Sequence, residues 1–466
     1  MQVKKTLFCL AVAASALIPA SLSAQTSSIN AFSPYTMYGI GELNTQGTLP
    51  TRSMGGVGVA MRNSGVMNLL NPASYSVTPQ KSVLFDFGVE GQNYYNAQTA
   101  EGATKRTAYN TFNFHDIAFQ LPLAKKLGLG FSLTPYSSVG YRVKYNQTYG
   151  GPEDDPIWGN VGRIQYQYQG EGDVTEVKLG VGWEVVKNLS VGIAVQYYWG
   201  DIDRTFVMTP QAITGDGNFS STVGTDNYSI SSFKGQLGVQ WNAIIDRKRL
   251  LTVGATYDFG GDLNPTVTKS IYVGDLYNTT IKGDTTHLAL VLPRQLAVGV
   301  YYQTSKWAMG VDYVYQNWGG RNGNVEHTGV TPETAPDGST VMRSYEVAYT
   351  DTHTVKLGVE YTPNRYDIRN FFKRWAYRLG LRYGTYHQTF GGQRLDQMAV
   401  TFGMGVPVKY RAFSSIDVGV EYGMRGFNVA ERLGLVRQQY IKFSIGFTLF
   451  AGAENNEYWF LRPKYD

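Results

Sequence analysis

The chain has 466 residues and carries 41 Lys or Arg against 36 Asp or Glu, a formal net charge of +5. This small, dispersed excess does not predict nucleic-acid binding. The single cysteine, Cys9, lies in the first apolar run, so no disulfide and no cysteine metal site is predicted. Gly (53 residues) and Tyr (34 residues) are abundant, which suits a glycine-rich β-structure with aromatic belts.

Residues 1–24 have the pattern of a secretory signal peptide. Lys4 and Lys5 supply the positive start, residues 6–18 are mostly apolar, and Ala24 offers a small residue at the predicted cleavage point. No later stretch reaches the roughly 18 apolar residues that a membrane helix needs. A secreted chain without membrane helices is therefore expected.

Residues 25–80 lack sustained alternation of apolar and polar side chains and are rich in Gly, Ser, Asn and Pro. The segment is too long for a leader and too apolar for a disordered tail. We therefore expect it to form a hatch, or plug, inserted into the lumen of the structure that follows.

Residues 81–450 repeatedly place apolar side chains at every second position, as in Ile441, Phe443, Ile445 and Phe447. Period-2 alternation indicates strands with one apolar and one polar face. Behind a secretory signal, many such strands predict an all-β fold, a 14-stranded antiparallel transmembrane β-barrel whose apolar face meets lipid. The predicted strands are 81–95, 108–123, 126–146, 161–185, 188–207, 227–243, 248–260, 287–304, 305–320, 342–363, 373–388, 394–408, 412–426 and 434–450.

The connections between these strands alternate in length. Short turns such as Lys187-Asn188 alternate with long segments near 96–107, 147–160, 208–226, 261–286 and 321–341. Short periplasmic turns and long external loops are typical of barrels in the outer membrane of a Gram-negative-type cell, which is the predicted location. The polar phase carries many charges, which are expected to face the lumen because lipid exposure would cost about 2–4 kcal/mol for each Arg or Lys near the midplane.

Three motifs in this order resemble the FadL family of outer-membrane transporters for long-chain fatty acids and other hydrophobic compounds. The first lies in the predicted hatch, an Arg/Gly/Ala-rich run followed by Asn-Pro-Ala: Arg52, Gly55, Gly58, Asn71, Pro72 and Ala73. The second is Leu292-Pro293 leading into a predicted strand pair with Trp307 and Trp318. The third is Thr134, Pro135 and Tyr136 in the third strand.

The resemblance implies passive transport of hydrophobic, fatty-acid-like molecules through a plugged barrel. Its partners would be outer-membrane lipid and a hydrophobic small-molecule ligand, and its exit would be a lateral gap in the wall near Thr134, Pro135 and Tyr136. Proline cannot donate to a strand ladder, which gives this expectation a physical reason. No ligand-binding residue is singled out by the sequence.

The residues also bear on three other classes of function. An enzyme is not expected, because the five histidines are scattered, of the kind usually found at a surface, and none has metal-ligand spacing; no cofactor is predicted. A non-transporting subunit of an outer-membrane secretion or protein-assembly machine is the alternative. The N-terminal extension before Arg52 and the aromatic tail 451–466, predicted to be periplasmic, favour it because both offer contacts for envelope proteins. A porin for polar solutes would need an open lumen, which residues 25–80 argue against.

Overall fold

The computed structural model describes residues 30–100, 103–148, 160–213, 219–246, 249–263, 265–273, 280–288, 290–322, 327–334, 340–408, 414–427 and 435–452. The predicted signal peptide, 1–24, and residues 453–466 of the predicted tail lie outside these ranges. None of the described helices is long and apolar enough to cross a membrane.

Residues 30–80 fold into short elements joined by turns. They are a 3-10 helix (Pro34–Met37), strand β1 (Glu42–Leu43), helix α1 (Leu49–Arg52) and a second 3-10 helix (Pro72–Val77). Proline begins or closely follows the start of each helix, where its fixed φ fits and its missing N–H would have no partner in any case. The segment is largely buried.

Fourteen antiparallel strands follow and close into a ring, because the first pairs with the last over its whole length. The predicted all-β fold and the predicted strand number are confirmed. The barrel strands are β2 (Ser82–Ala100), β3 (Ala103–Ala124), β4 (Leu127–Thr148), β5 (Val161–Val186), β6 (Leu189–Ala212), β7 (Thr222–Asp246), β8 (Arg249–Asp258), β13 (Arg294–Thr304), β14 (Trp307–Asn317), β17 (Thr352–Tyr361), β18 (Ala376–Phe390), β19 (Gln393–Pro407), β20 (Ser415–Arg425) and β21 (Arg437–Gly452).

Smaller elements extend the outer end of the barrel. They are the β9–β12 pair (Gly261–Asp262 with Val291–Leu292), the β10–β11 hairpin (Thr266–Val273 and Thr280–His287), helix α2 (Gly319–Asn322) and the β15–β16 hairpin (His327–Thr334 and Thr340–Tyr349). The opposite end has turns of two residues, except for the longer connections around 362–375, with its 3-10 helix Phe371–Arg374, and 408–414.

Alternate residues of the wall face opposite environments. Ile193 and Phe233 are 59% and 66% exposed, whereas Lys178 and Lys234 are 4% and 5% exposed. The apolar set therefore points outward and the charged set inward, as period-2 geometry requires. Outward apolar side chains and a closed ring make this an outer-membrane type of barrel.

Two expectations about connections are wrong. Residues 96–100 and 103–107 continue β2 and β3 and do not belong to a long loop, and 342–363 is not one strand, because β16 ends at Tyr349 and β17 begins at Thr352. Several other long connections contain strands of their own. Beyond the membrane both faces of a strand meet water, so the apolar alternation that marks a strand disappears there. At the far end of the barrel, β21 continues to Gly452 and so includes the first two residues of the predicted tail.

Candidate functional site

The inner wall of the barrel is shaped by glycines that lie against residues 30–80. A Cβ at Gly380 would lie 1.9 Å from the Gly55 nitrogen, and one at Gly182 would lie 2.3 Å from the Pro72 oxygen. Only glycine allows backbones to approach so closely. Gly55 itself has φ of +71°, a region that disfavours other residues. The same segment abuts further wall glycines on several strands: Gly128, Gly192, Gly238, Gly254, Gly358, Gly403, Gly419 and Gly446.

Arg52, Gly55 and Gly58, the first part of the predicted hatch motif, each bond to a different part of the wall. The Arg52 guanidinium forms an ion pair with Glu90 on β2. The Gly55 N–H donates to the Thr401 hydroxyl over 2.9 Å. The Gly58 N–H donates to an Asp312 carboxylate oxygen over 2.7 Å. These bonds to β2, β19 and β14 attach the segment to widely separated strands.

Asp312 is a binding residue whose role the sequence did not reveal. The same carboxylate oxygen accepts from the Val59 N–H over 2.9 Å, and Lys356 lies directly opposite on β17. The sequence suggested only that Asp312 and Lys356 would be neighbours. The acceptor role was missed because backbone donors leave no trace in a sequence.

Asn71, Pro72 and Ala73 begin the second 3-10 helix and lie against β5, β6 and β7. The Asn71 side-chain oxygen accepts from the Ala73 N–H over 3.0 Å, which caps the helix. Its amide donates to the Val59 oxygen over 2.8 Å and to the Val239 oxygen of β7 over 3.1 Å. One side chain thus joins the turn, the backbone at Val59 and the wall.

The wall is not paired along its full height between β3 and β4. Among the described residues, the β3–β4 ladder runs from Ala124 and Leu127 to Ile117 and Leu133 and stops there. At this level the β2–β3 register shifts at His115, and the β4–β5 register shifts between Pro135 and Ser137. Bulges bend strands and end pairing. Two bulges on facing strands therefore give a physical reason for the gap, which we call the outer seam.

Residues 33–46 lie along the inner side of the outer seam and bond to β4. Gln46 donates to the Pro135 oxygen over 2.9 Å and accepts from the Thr134 hydroxyl over 2.9 Å. The Asn44 N–H donates to the Tyr136 oxygen over 2.8 Å. The structure thus brings all three predicted lateral-opening residues together with the N-terminal segment.

Further outward, the same segment continues to contact both strands. β1 pairs with Ser137 and Ser138 of β4, and the Ser33 N–H donates to the Gly140 oxygen over 2.8 Å. Across the seam, the ring of Phe32 stacks on Tyr109 of β3 with centroids 4.5 Å apart. The N-terminal segment therefore occupies the edge of β4 that β3 leaves unpaired.

Two histidines that the sequence suggested would lie at the surface are buried. His115 is the extra residue of its bulge, and both it and Asp116 point inward, where the imidazole Nδ1 contacts an Asp116 carboxylate oxygen. A bulge places two successive side chains on one face, which strict alternation would not predict. His387 lies in the outer part of β18 among aromatic rings, including Trp318 and Tyr386. No group of side chains suited to hold a metal ion is found in the part of the chain that the structure describes.

A cavity of about 190 Å³ remains between residues 30–80 and the wall. Most of the residues that line it are polar or charged. Lys234 and Asp258 form an ion pair across neighbouring strands, 3.0 Å apart. The charged lining residues are Glu42, Glu176, Lys178, Lys234, Asp258, Lys356, Arg382, Arg425 and Lys442, whereas the aliphatic ones are Leu43, Val59, Leu69, Leu70, Ala297 and Val314.

Glu42 of β1 forms a buried ion pair with Arg425 of β20 over 2.7 Å. Burial alone would raise the pKa of this carboxyl, but the Arg425 guanidinium outweighs it and holds the pKa below its usual value. Glu42 is therefore charged at neutral pH. The pair fixes the outer part of the N-terminal segment to the wall.

Comparison with known proteins assigns the family. The family model described as BamG matches residues 3–466, which is nearly the whole chain. The chain belongs to the BamG family. No curated protein matches the sequence of this BamG-family chain.

Solved structures show that this BamG-family chain has the fold of FadL-type channels. A Pseudomonas aeruginosa FadL homologue is 12% identical, with a TM-score of 0.55, over 87% of this chain and 98% of that one. The CymD monoaromatic hydrocarbon channel is 15% identical, with a TM-score of 0.55, over 87% and 98%. The Pseudomonas putida toluene transporter TodX is 14% identical, with a TM-score of 0.55, over 88% and 99%. The structural part of the resemblance seen in the sequence is confirmed, and these neighbours are channels and not enzymes.

Proposed function

We propose that this protein is a plugged outer-membrane barrel that acts as a non-transporting subunit of an envelope machine for secretion or protein assembly. The observation that carries the proposal is the polarity and small size of the lumen. Nine charged side chains line the cavity, and an apolar solute would have to displace their hydrogen bonds and hydration. Sites for small molecules are mostly apolar and about 300–1,000 Å³ in volume, whereas this cavity is about 190 Å³.

The attachment of the N-terminal segment supports the same proposal. Three ion pairs join it to the wall, through Glu42, Arg52 and Arg62. The pairs of Glu42 and Arg52 are buried, and breaking a buried pair by removing one partner costs roughly 3–5 kcal/mol. We infer that residues 25–80 are a permanently seated hatch, that 1–24 is a cleaved signal peptide, and that 451–466 includes a periplasmic tail. A seated hatch suits a scaffold better than a conduit.

Affinity purification in mild detergent tests this proposal. A tagged full-length chain, expressed at its natural level, is expected to bring down the same envelope proteins in fixed ratio. A tagged outer-membrane barrel of similar size serves as the control. A variant that ends at residue 452 is expected to lose some of these proteins if the tail is one of the contacts. A chain that always purifies alone would contradict the proposal.

Passive uptake of hydrophobic compounds is the second candidate function. The fold shared with channels described as toluene and monoaromatic hydrocarbon transporters favours it, as does the interruption of the wall beside Thr134, Pro135 and Tyr136. In that case the solute would leave sideways, near Pro135, into the membrane. Uptake of radiolabelled toluene and oleate is compared in cells with and without the chain. If cells with and without the chain take up each compound equally, transport is rejected and the subunit proposal stands.

A further inference from the structure

The outermost part of β4 has an edge, on the side that faces β3, with which no described strand pairs. The N-terminal segment bonds β4 as far as Gly140 and stacks on β3 at Tyr109. Beyond these contacts, residues 141–148 of β4 and 105–108 of β3 pair among the described strands with β5 and β2 respectively. An unpaired strand edge presents a row of backbone donors and acceptors that can accept another strand.

The same edges carry four positive charges. Lys105 and Arg106 lie on β3, and Arg142 and Lys144 lie on β4, and all four are exposed. Within the described ranges none of them has an acidic partner. If the β3–β4 register continued outward, it would set Arg106 opposite Lys144. Like charges directly opposite destabilise pairing, so this charge pattern opposes closure of the outer seam and favours an anionic occupant.

The chain itself shows how an extended segment joins this edge. β1 pairs with β4 in antiparallel register just inward of the free part, and its acid, Glu42, is neutralised by a wall arginine. Residues 25–29, the nearest chain upstream of the described segment, carry no acidic side chain. They therefore offer no carboxylate to pair with the four cations.

We propose that the outer seam is a docking site for an extended, acidic segment of a partner protein, which adds as a strand to the free edge of β4 and pairs its carboxylates with the four cations. The backbone would supply affinity, and the charges would select the partner. This inference rests on the proposed subunit function, for which it names the chemistry of one partner.

Binding of synthetic peptides to the purified full-length protein in detergent tests the proposal. The probes are three fluorescent ten-residue peptides: alternating Glu and Val, alternating Lys and Val, and the Glu/Val peptide with proline at two central Val positions. Fluorescence anisotropy is measured at low salt, where surface charge interactions are strongest. Only the uninterrupted acidic peptide is expected to bind.

The double variant R106E/K144E is expected to weaken that binding about tenfold or more, because two attractive charges become repulsive. The matched control, K187E/K306E, makes the same charge change at exposed turns at the other end of the barrel and should bind like the unchanged protein. Migration of unheated samples in SDS gels verifies that both variants are folded barrels.

Equal binding of the proline-containing acidic peptide would overturn strand addition. Equal binding by R106E/K144E would overturn the site, and so would complete displacement of the peptide by lipopolysaccharide at concentrations that occupy the protein, since the seam would then be a headgroup site. Peptide results of this kind leave the subunit proposal untouched as long as envelope proteins still co-purify with the double variant. Loss of co-purification from the unchanged protein would instead reject the subunit function.

Discussion

The two parts of the N-terminal segment are held in the barrel by different physical means. Residues 33–46 attach through hydrogen bonds to the edge of β4 and through packing of side chains, as where Tyr35 and Tyr38 contact Phe390. Residues 49–78 attach through contacts with glycine backbones and through buried charges, which no small rearrangement can replace. The first part is therefore the easier of the two to detach, whereas the second is held by close backbone contacts that only glycine permits.

The largest expected effect is at the glycine contacts. Gly380→Ala places a Cβ 1.9 Å from the Gly55 nitrogen. Gly380 cannot move without disturbing its strand pairing, and Gly55 cannot move without losing its bond to the Thr401 hydroxyl. We expect loss of the folded, heat-modifiable form in SDS gels. Gly91→Ala is the matched control, because its Cβ would meet nothing closer than 3.9 Å. A folded, stable Gly380→Ala barrel would show that residues 49–78 can shift to make room for a Cβ.

The next effect concerns Asp312. Asp312→Leu removes the acceptor of two backbone N–H groups and leaves Lys356 without its opposite charge, so we expect a loss of about 3–5 kcal/mol in the free energy of unfolding. Urea unfolding followed by tryptophan fluorescence measures it.

Two further variants separate the causes of that loss. Adding Lys356→Met to Asp312→Leu is expected to restore part of the stability by removing the stranded cation. Asp201→Leu, at an exposed position, should change stability by no more than about 0.5 kcal/mol. A similar loss in both aspartate variants would show that the effect is not specific to the hatch contact.

A smaller effect is expected at Glu42, the one buried charge of the first part. Its pKa is lowered in the folded state. The stability that its ion pair provides is therefore complete above the ordinary pKa of 4.5 and is lost as the pH falls through the folded pKa. A spin label at Thr45→Cys should become mobile on acidification below that value. In Glu42→Gln it should be mobile at every pH, since a charge-assisted bond worth about 1.5–3 kcal/mol is missing. A label that stays immobile in Glu42→Gln would refute this account.

The smallest effect is expected at Gln46. Gln46→Leu removes its bonds to Thr134 and Pro135, worth about 1 kcal/mol. Amide hydrogen exchange should accelerate roughly fivefold in residues 33–46 and stay unchanged in 49–78. Gln80→Leu, which removes an exposed bond to the Ala124 oxygen, is the control. Equal acceleration in both parts would erase the distinction between them.

The sequence predicted the features that follow from local alternation of apolar and polar residues. The number of strands and the direction of their faces follow from contact with lipid, which repeats at every second residue. Pro135 marked the level of the outer seam because a missing donor is visible in the sequence. The bulge at His115 was missed because its cause lies in the partner strand, where Gly88 leaves room for the imidazole. The acceptor role of Asp312 was missed because its partners are backbone groups.

The glycine-lined inner wall has a consequence for how the protein is made. The hatch segment lies immediately before β2 in the chain, whereas the ring closes only when β21 pairs with β2. Side chains of both strands, Leu84 and Phe450, share a buried cluster with Met67 and Leu69. Contacts this close leave no route for inserting the segment after closure. We infer that the strands assemble around the segment that precedes them in the chain, so that the segment serves as an internal template of its own barrel.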